Sequence, residues 1–242
     1  MKRLRGLVLV LGMVGCGSQE GTTDDPAAAL ESFGAKIERN EQGEAVAVSF
    51  LKTWTTDAEL VHLAALSKLE SLFFHFENRI TDAGLVHLEG LTNLTNLRLG
   101  VTHVTDAGLV HLKGLTNLQK LFLSDTRVTD AGLEHLKGLA ELSDLHLQGT
   151  QVTDAGLVHL KGLTNLEWLE LNETPVTDAG LVHLKGLAEL SDLDLQDTQV
   201  TGAGLVHLTG LTNLGTLELR YTQVTDAGVA ELQKALPRCE IY

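Results

Sequence analysis

The sequence predicts an α/β fold in which one short unit, repeated along the chain, stacks into a curved solenoid. A four-residue group, Thr-(Asp or Gly)-Ala-(Gly or Glu), occurs eight times, and after a first step of 25 residues every step is 24. Aromatic residues are only 4% of the chain, so its many leucines must fill the core. A fixed period of this length is typical of proteins whose units bury their apolar faces against neighbouring units. The group begins at Thr56, Thr81, Thr105, Thr129, Thr153, Thr177, Thr201 and Thr225.

The first part of each unit is expected to be a short strand. In the unit that begins at Leu142, Leu145 and Leu147 alternate with period two, so both point to one face of the strand. Strands lie about 4.8 Å apart and packed helices about 10 Å apart, so the stack must curve with the sheet on the inner, concave side. We expect the threonines that follow the strands to stack and to satisfy turn amides; they are Thr102, Thr126, Thr150, Thr174, Thr198 and Thr222.

The second part of each unit is expected to be a short helix. Thr153 offers a hydroxyl to an exposed N–H, as a helix N-cap does, and Asp154 places negative charge where the helix dipole favours it. Leu157 and Leu160 lie three residues apart, so they share one helical face and point back at the sheet. Gly162 is expected to end the helix in the left-handed conformation.

The spacing Leu-x-x-Leu-x-Leu-x-x-Thr-x-Val resembles the leucine-rich repeat signature, with Thr in place of the usual Asn or Cys. The Thr-Asp-Ala-Gly-Leu segment is similar to the subfamily found in F-box-associated leucine-rich repeat proteins and in many bacterial repeat proteins. The resemblance covers residues 45–242. It implies a horseshoe-shaped leucine-rich repeat solenoid, with a parallel sheet on the concave face and short helices on the convex face.

Both ends of this repeat domain differ from its interior, as an open stack requires. A helix over 27–33 and a strand over 36–39 predict a helix-and-hairpin cap formed by residues 27–44. At the other end, residues 225–242 are expected to form a capping half-repeat. Cys239 takes a leucine position there, so we expect a buried, unreactive thiol.

Residues 1–15 are expected to be a bacterial lipoprotein signal peptide. Three basic residues precede an apolar run over 7–14, which is too short to span a bilayer as a helix. The run ends in Met13-Val14-Gly15-Cys16. This resembles the lipoprotein signal in which the cysteine is acylated, for example with palmitate, and becomes the mature N-terminus; Met13 replaces the usual Leu. An ordinary secretory signal is the alternative.

The lipoprotein interpretation predicts a location at the bacterial cell envelope. Residues 16–26 would then be the lipidated Cys16 and a flexible tether, and two or more acyl chains would anchor the chain stably in a membrane. No Asp follows Cys16, which in the lipoproteins it resembles favours the outer over the inner membrane. The net charge of −14 argues against a nucleic-acid partner, and we expect a monomer.

No enzymatic activity, metal or cofactor is predicted. The sequence lacks the common hydrolase, metalloprotease, nucleotide-binding and dinucleotide-binding motifs. Equivalent histidines of neighbouring units should lie about 10 Å apart, too far to share a zinc ion whose bonds to nitrogen are near 2 Å. The repeated aspartates are explained by their helix-start position. The histidines are His62, His87, His111, His135, His159, His183 and His207. The aspartates are Asp82, Asp106, Asp130, Asp154, Asp178 and Asp226.

A binding surface is predicted where the units differ, at the strand positions that face the concave side. Its first half is aromatic and cationic and its second half is acidic. Tryptophan, phenylalanine and arginine dominate binding energies at protein interfaces, so we expect a protein or peptide ligand here. The additional residue in the first unit could shift the register near Phe73. The candidate residues are Phe73, Arg98, Lys120, Phe122, His146, Trp168, Glu170, Asp192, Asp194 and Glu218.

Three other functions remain open at this stage. The chain could be a purely structural envelope protein whose concave face binds nothing specific. It could be a substrate-recognition or adaptor protein, as the F-box resemblance implies, although no recruiting domain precedes residue 45 and a secretion signal disagrees with an intracellular role. Aromatic residues beside carboxylates could also suit an enzyme that acts on a glycan, but no acid and base pair can be named.

Overall fold

The repeated units stack into one open sheet. The computed structural model describes residues 25–50, 55–74 and 79–242. Within them, ten strands lie side by side in chain order. The first two pair antiparallel, and all later neighbours pair parallel. The strands are β1 (Lys36–Arg39), β2 (Ala45–Phe50), β3 (Ser71–Phe74), β4 (Asn96–Arg98), β5 (Lys120–Phe122), β6 (Asp144–His146), β7 (Trp168–Glu170), β8 (Asp192–Asp194), β9 (Thr216–Glu218) and β10 (Glu240–Ile241).

Short helices form the other side of the stack, which confirms the predicted α/β solenoid. The α-helices are α1 (Pro26–Ser32), α2 (Asp82–Leu85), α3 (Asp106–Leu109), α4 (Asp130–Leu133), α5 (Asp178–Leu181) and α6 (Asp226–Ala235). The 3₁₀ helices span Glu59–Ala65, Val86–Leu88, Val110–Leu112, Glu134–Leu136, Gly156–Gly162 and Gly204–Leu208. No helix in the described ranges is both long and apolar enough to cross a bilayer.

A single leucine core runs through the whole stack. The predicted strand residues Leu145 and Leu147 and the helix residues Leu157 and Leu160 are all completely buried. They belong to one continuous cluster that extends from the N-terminal helix to Cys239. Burial of aliphatic area therefore supplies the main driving force for stacking, but it does not by itself fix how one unit is aligned on the next.

The two ends carry modified elements. The Asp25 side chain caps α1 by accepting from Ala27 N at 3.0 Å, and α1 begins one residue before the predicted start. Gly43 has a φ of +80° in the turn between β1 and β2. At the other end, Cys239 is buried as predicted, and burial raises the pKa of its thiol. A thiol with a raised pKa forms less thiolate, so it is a poor nucleophile.

The threonines that follow the strands are buried except for the partly buried Thr222, and their predicted role was wrong for all but Thr222. The Thr102 hydroxyl donates to the backbone carbonyl of Leu99 at 2.6 Å, and the five later threonines repeat this bond three residues back. In the first five threonines the hydroxyl therefore satisfies a carbonyl and not the predicted turn amide. At Thr222 the hydroxyl also accepts from Val224 N, at 3.3 Å. A short hydroxyl reaches only its own turn, whereas an asparagine amide carries a separate donor and acceptor further out.

The helix end at Gly162 also differs from the prediction. Gly162 is the last residue of its 3₁₀ helix, and the chain leaves through Leu163 with φ −87° and ψ 62°. Among the glycines at this repeat position, Gly90 is the one in the left-handed region. That region is used instead directly after the strands, where φ lies between 54° and 64° at Val101, Asp125, Gly149, Glu173, Asp197 and Tyr221.

A carboxylate joins each unit to the next. Thr105 donates to Asp82 of the preceding unit through its backbone N–H and through its hydroxyl, both at 2.7 Å. The Thr105 hydroxyl in turn accepts from Ala107 N at 3.3 Å and caps α3. Helix start and junction therefore share one threonine. The same pair of bonds links Asp57 to Thr81, Asp106 to Thr129, Asp130 to Thr153, Asp154 to Thr177 and Asp178 to Thr201.

The glycine of the repeated group leaves room for this carboxylate. A Cβ atom on Gly108 would lie 2.5 Å from a carboxylate oxygen of Asp82, which is closer than a Cβ and a non-bonded oxygen can approach. The Thr-Asp-Ala-Gly group thus contains a threonine that donates to the preceding unit, an aspartate that accepts from the following unit, and a glycine that leaves room for the carboxylate. Assigning the aspartates to the helix start alone was incomplete.

One junction lacks the link, because Gly202 replaces the aspartate before the last unit. There the Thr225 hydroxyl accepts from Gly228 N at 3.3 Å. A Cβ on Gly202 would lie 3.3 Å from the Gly228 Cα, so the two backbones approach closely where other junctions hold a carboxylate. The capping helix α6 is therefore attached without the bonds that align the interior units.

We predict that Gly202→Asp leaves the protein no more stable than the parent chain. Its carboxylate would accept from Thr225 as at the other junctions, but its Cβ would lie 3.3 Å from the Gly228 Cα, so α6 would first have to move away. The free energy of unfolding from urea titration measures this. The matched variant Asp178→Gly removes the link one unit earlier and should destabilise by about 2 kcal/mol. Equal stability of Asp178→Gly and the parent chain would contradict the proposed role of the aspartate.

Candidate binding surface on the concave sheet

The ten candidate residues lie in two rows across the strands. Strand pairing aligns Phe73 with Arg98, then Phe122, His146, Glu170, Asp194 and Glu218. The second row contains Lys120, Trp168 and Asp192. The possible register shift therefore does not displace Phe73 from its row; residues 75–78, which follow it, lie outside the described residues. Parallel strands in register bring side chains from seven units onto one surface.

The first half of the surface is a stack of rings around one cation. The guanidinium carbon of Arg98 lies 4.4 Å from the centre of the Phe122 ring and 5.4 Å from that of Phe73. On the other side of Phe122, the His146 ring stacks at 4.1 Å. These distances lie within the ranges at which cation–π contacts and ring stacking are attractive. The stack therefore holds the Arg98 side chain in position.

Glu170 ties the middle of the surface together. One of its oxygens lies 2.7 Å from His146 Nδ1, and the other accepts from Trp168 Nε1 at 3.2 Å. The Trp168 side chain is still 43% exposed. A large aromatic ring is thus oriented by a hydrogen bond while much of its area faces solvent.

The second half is acidic and contains a cavity. Asp194 pairs in register with Glu170 on one side and Glu218 on the other. Burial raises the pKa of the Asp194 carboxyl, the backbone N–H of Gln196 opposes this, and the negative charges of Glu170 and Glu218 raise the pKa further. The cavity is lined by Trp168, Glu170, Asp192, Leu193, Asp194, Thr216 and Glu218.

Residues beyond the predicted set complete the charge pattern. Lys120 pairs with Asp144 at 2.9 Å, and Arg220 pairs with Glu218 at 2.9 Å. Asp144 stands one 24-residue step after Lys120 in the same row, so its pairing could have been read from the sequence. The pairing of Arg220 could not be read in this way, because its side chain reaches back to Glu218 at the end of β9.

Asn172 is a third residue outside the predicted set. It is 7% exposed, and its Oδ1 atom has no hydrogen-bond partner within the described ranges. Asn172 follows β7 at a variable position, which is a signal of variation but not of burial.

The histidines of the repeat row are all partly buried. No group of three potential ligands close enough to hold a metal ion occurs in the part of the chain that the structure describes. The His111 Nδ1 atom contacts Glu89 at 2.5 Å, whereas the buried Nδ1 atoms of His135 and His183 have no hydrogen-bond partner among the residues that the structure describes. Burial, and then the charge of a neighbouring lysine, lowers the pKa of both histidines.

Comparison with solved structures supports the fold. Internalin C2 from Listeria monocytogenes is 27% identical, with a TM-score of 0.67, and the match covers 90% of this chain and 92% of that one. The leucine-rich repeat ectodomain of the membrane receptor kinase GASSHO1/SCHENGEN3 from Arabidopsis thaliana, solved in complex with CASPARIAN STRIP INTEGRITY FACTOR 2, is 16% identical. Its TM-score is 0.58, over 85% of this chain and 25% of that one. This chain therefore has the leucine-rich repeat fold. No protein-family model matches the sequence, and no curated protein does.

We predict that the free energy of unfolding falls as the pH drops from 7.5 to 5.5. The pKa values of His135 and His183 are lowered in the folded state, so the unfolded chain, with pKa values near 6.5, binds more protons and gains stability as pH falls. The double variant His135→Gln/His183→Gln should flatten this dependence in urea titrations. The exposed-site control His103→Gln should keep it, and an unchanged slope in the double variant would contradict the assignment.

Proposed function

We propose that the concave sheet face binds a protein or peptide partner and that the chain catalyses no reaction. The observation that carries this is the continuous series of contacts from Arg98 through Phe122 and His146 to Trp168, which lies in the second row. Each of these side chains is already held by a neighbour. Side chains that are fixed before binding lose little conformational entropy when a partner arrives. Arginine and tryptophan are also the residue types that most often dominate interface energies.

The leucine-rich repeat fold supports this proposal by analogy. The plant receptor ectodomain was solved in complex with CASPARIAN STRIP INTEGRITY FACTOR 2, so a protein with this fold does bind a partner. Fold alone does not determine function, and the argument therefore rests on the side chains of this chain's own face.

We further propose that the protein is a lipoprotein of the bacterial cell envelope, anchored through Cys16 and placed at the outer membrane. Residues 1–24, which include the signal and Cys16, lie outside the described residues. The support is the basic, apolar and small-residue pattern that ends at Cys16. The first helix begins at Pro26. A tether of about nine residues reaches at most about 30 Å, so the solenoid would stay close to the membrane.

We predict that Arg98→Ala and Trp168→Ala each weaken partner binding at least tenfold, because each removes an anchor of the face. Crosslinking and capture from envelope extract would supply the partner, and titration with the purified partner would give the affinities. Arg127→Ala removes an exposed arginine that lies outside both rows and is the matched control. The proposal fails if no partner binds saturably, as a purely structural protein requires, or if both variants bind like the parent.

We predict that full-length chain expressed in a bacterial host matures to an acylated N-terminal Cys16. Mass spectrometry of the mature N-terminus checks the cleavage site and the added acyl mass, and fractionation checks membrane retention. Cys16→Ser should lose both the acyl mass and the retention. An unmodified N-terminus in the parent chain would favour an ordinary secretory signal.

A further inference from the structure

Strand β8 carries two carboxylates, Asp192 and Asp194. The charge of Arg220 acts on Asp194, but it offsets the negative charges of Glu170 and Glu218 only in part. Asp192 accepts from the Ser191 hydroxyl at 2.6 Å, and Asp194 accepts from Gln196 N at 2.8 Å. In the residues covered by the structure, neither carboxylate forms a salt bridge. The neighbouring acidic positions differ, because a basic side chain lies against Asp144, Glu170 and Glu218.

This arrangement is unfavourable in the isolated protein. Glu170, Asp194 and Glu218 lie directly opposite one another on three adjacent strands, and like charges in that position destabilise a sheet. Asp194 is half-buried, which weakens its hydration. Arg98 is held between two phenylalanine rings and Arg220 already pairs with Glu218. A cation from outside would relieve the repulsion.

We propose that the pocket between Trp168, Asp192 and Asp194 receives an arginine side chain of the binding partner. The inference rests on the proposed function, and it specifies the chemistry of that partner. Trp168 forms the aromatic wall of the pocket and the buried Leu193 forms its floor. The carboxylates come from Asp192, Asp194 and Glu218.

Arginine fits this pocket better than lysine does. A planar guanidinium can stack on an indole and also donate two parallel hydrogen bonds to a carboxylate, whereas an ammonium is a compact, strongly hydrated point charge. The Trp168 indole N–H already donates to Glu170. The ring is therefore oriented before the guanidinium arrives, so binding orders fewer groups.

The test uses a small probe and needs no identified partner. N-acetyl-arginine amide is titrated into the full mature chain while the indole N–H resonance of Trp168 is followed by NMR; a Trp168→Phe sample assigns the signal. We expect the chemical shift of this resonance to change saturably at millimolar concentrations of the probe, and we expect the affinity to fall in high salt. N-acetyl-lysine amide should bind at least threefold more weakly. N-acetyl-citrulline amide, a neutral analogue of similar shape, should cause no saturable shift.

The double variant Asp192→Asn/Asp194→Asn should lose at least tenfold in affinity for the arginine probe. Asp197→Asn, which removes a charge from the same unit outside the pocket, should bind like the parent chain. Because the double variant also removes repulsion, its thermal midpoint should be equal to or above that of the parent. That measurement separates lost binding from lost folding.

The outcomes distinguish this inference from the proposed function. Equal shifts with arginine and citrulline probes, or unchanged arginine affinity in the double variant, would overturn the arginine pocket. If the same double variant also binds the purified partner like the parent while Arg98→Ala does not, the face binds its partner without this pocket. If the arginine probe binds as expected and Arg98→Ala leaves partner affinity unchanged, the pocket stands and the aromatic half of the face loses its role.

Discussion

The hydrogen-bonded link from an aspartate of one unit to the threonine of the next is the constraint on which the rest of the structure depends. Leucine burial drives stacking, but it is non-directional and would tolerate small displacements between units. The link from Asp82 to Thr105 is directional: a shifted unit would leave the threonine N–H and hydroxyl without an acceptor. Six such links in succession align the units that carry β2 to β8.

Alignment of the strands is what turns single variable positions into a surface. Arg98 meets Phe122, and Phe122 meets His146, only because the strands that carry them are in register. The two halves of that surface differ in how far their charges are balanced by neighbouring side chains of the same chain. The aromatic half holds its own cation, whereas the acidic half around Asp194 keeps unbalanced negative charge. A partner that supplies the missing charge would also be oriented along the groove.

The sequence predicts the parts of this fold that depend on local periodicity. Leu145 and Leu147 alternate, and Thr153 precedes a helical pattern, so their roles follow from a few neighbouring residues. The partner of Asp130 does not, because a helix-start aspartate and a unit-linking aspartate have the same sequence pattern, and the bond to Thr153 crosses 23 residues. The helix end predicted at Gly162 was wrong for a similar reason. The chain can leave a 3₁₀ helix through a leucine, and the glycine pattern does not reveal this.

The candidate surface was predictable in its membership but not in its pairing. Variation at strand positions identifies Lys120 and Glu170, yet which acid meets which base depends on side-chain reach across strands. Asn172 shows the limit, since its burial follows from the side chains around it and not from its own position.

The uniform junction also bears on how such a chain changes length. Each unit offers the next the same carboxylate, the same threonine and the same glycine gap, so an in-frame gene duplication of 24 residues creates a junction identical to those already present. A duplicated unit would add one strand, and its side chains on the concave face would be free to change. Selection could then extend the groove stepwise while the existing contacts stay intact. The junction at Gly202 lacks the aspartate, so a duplication there would not create the same link.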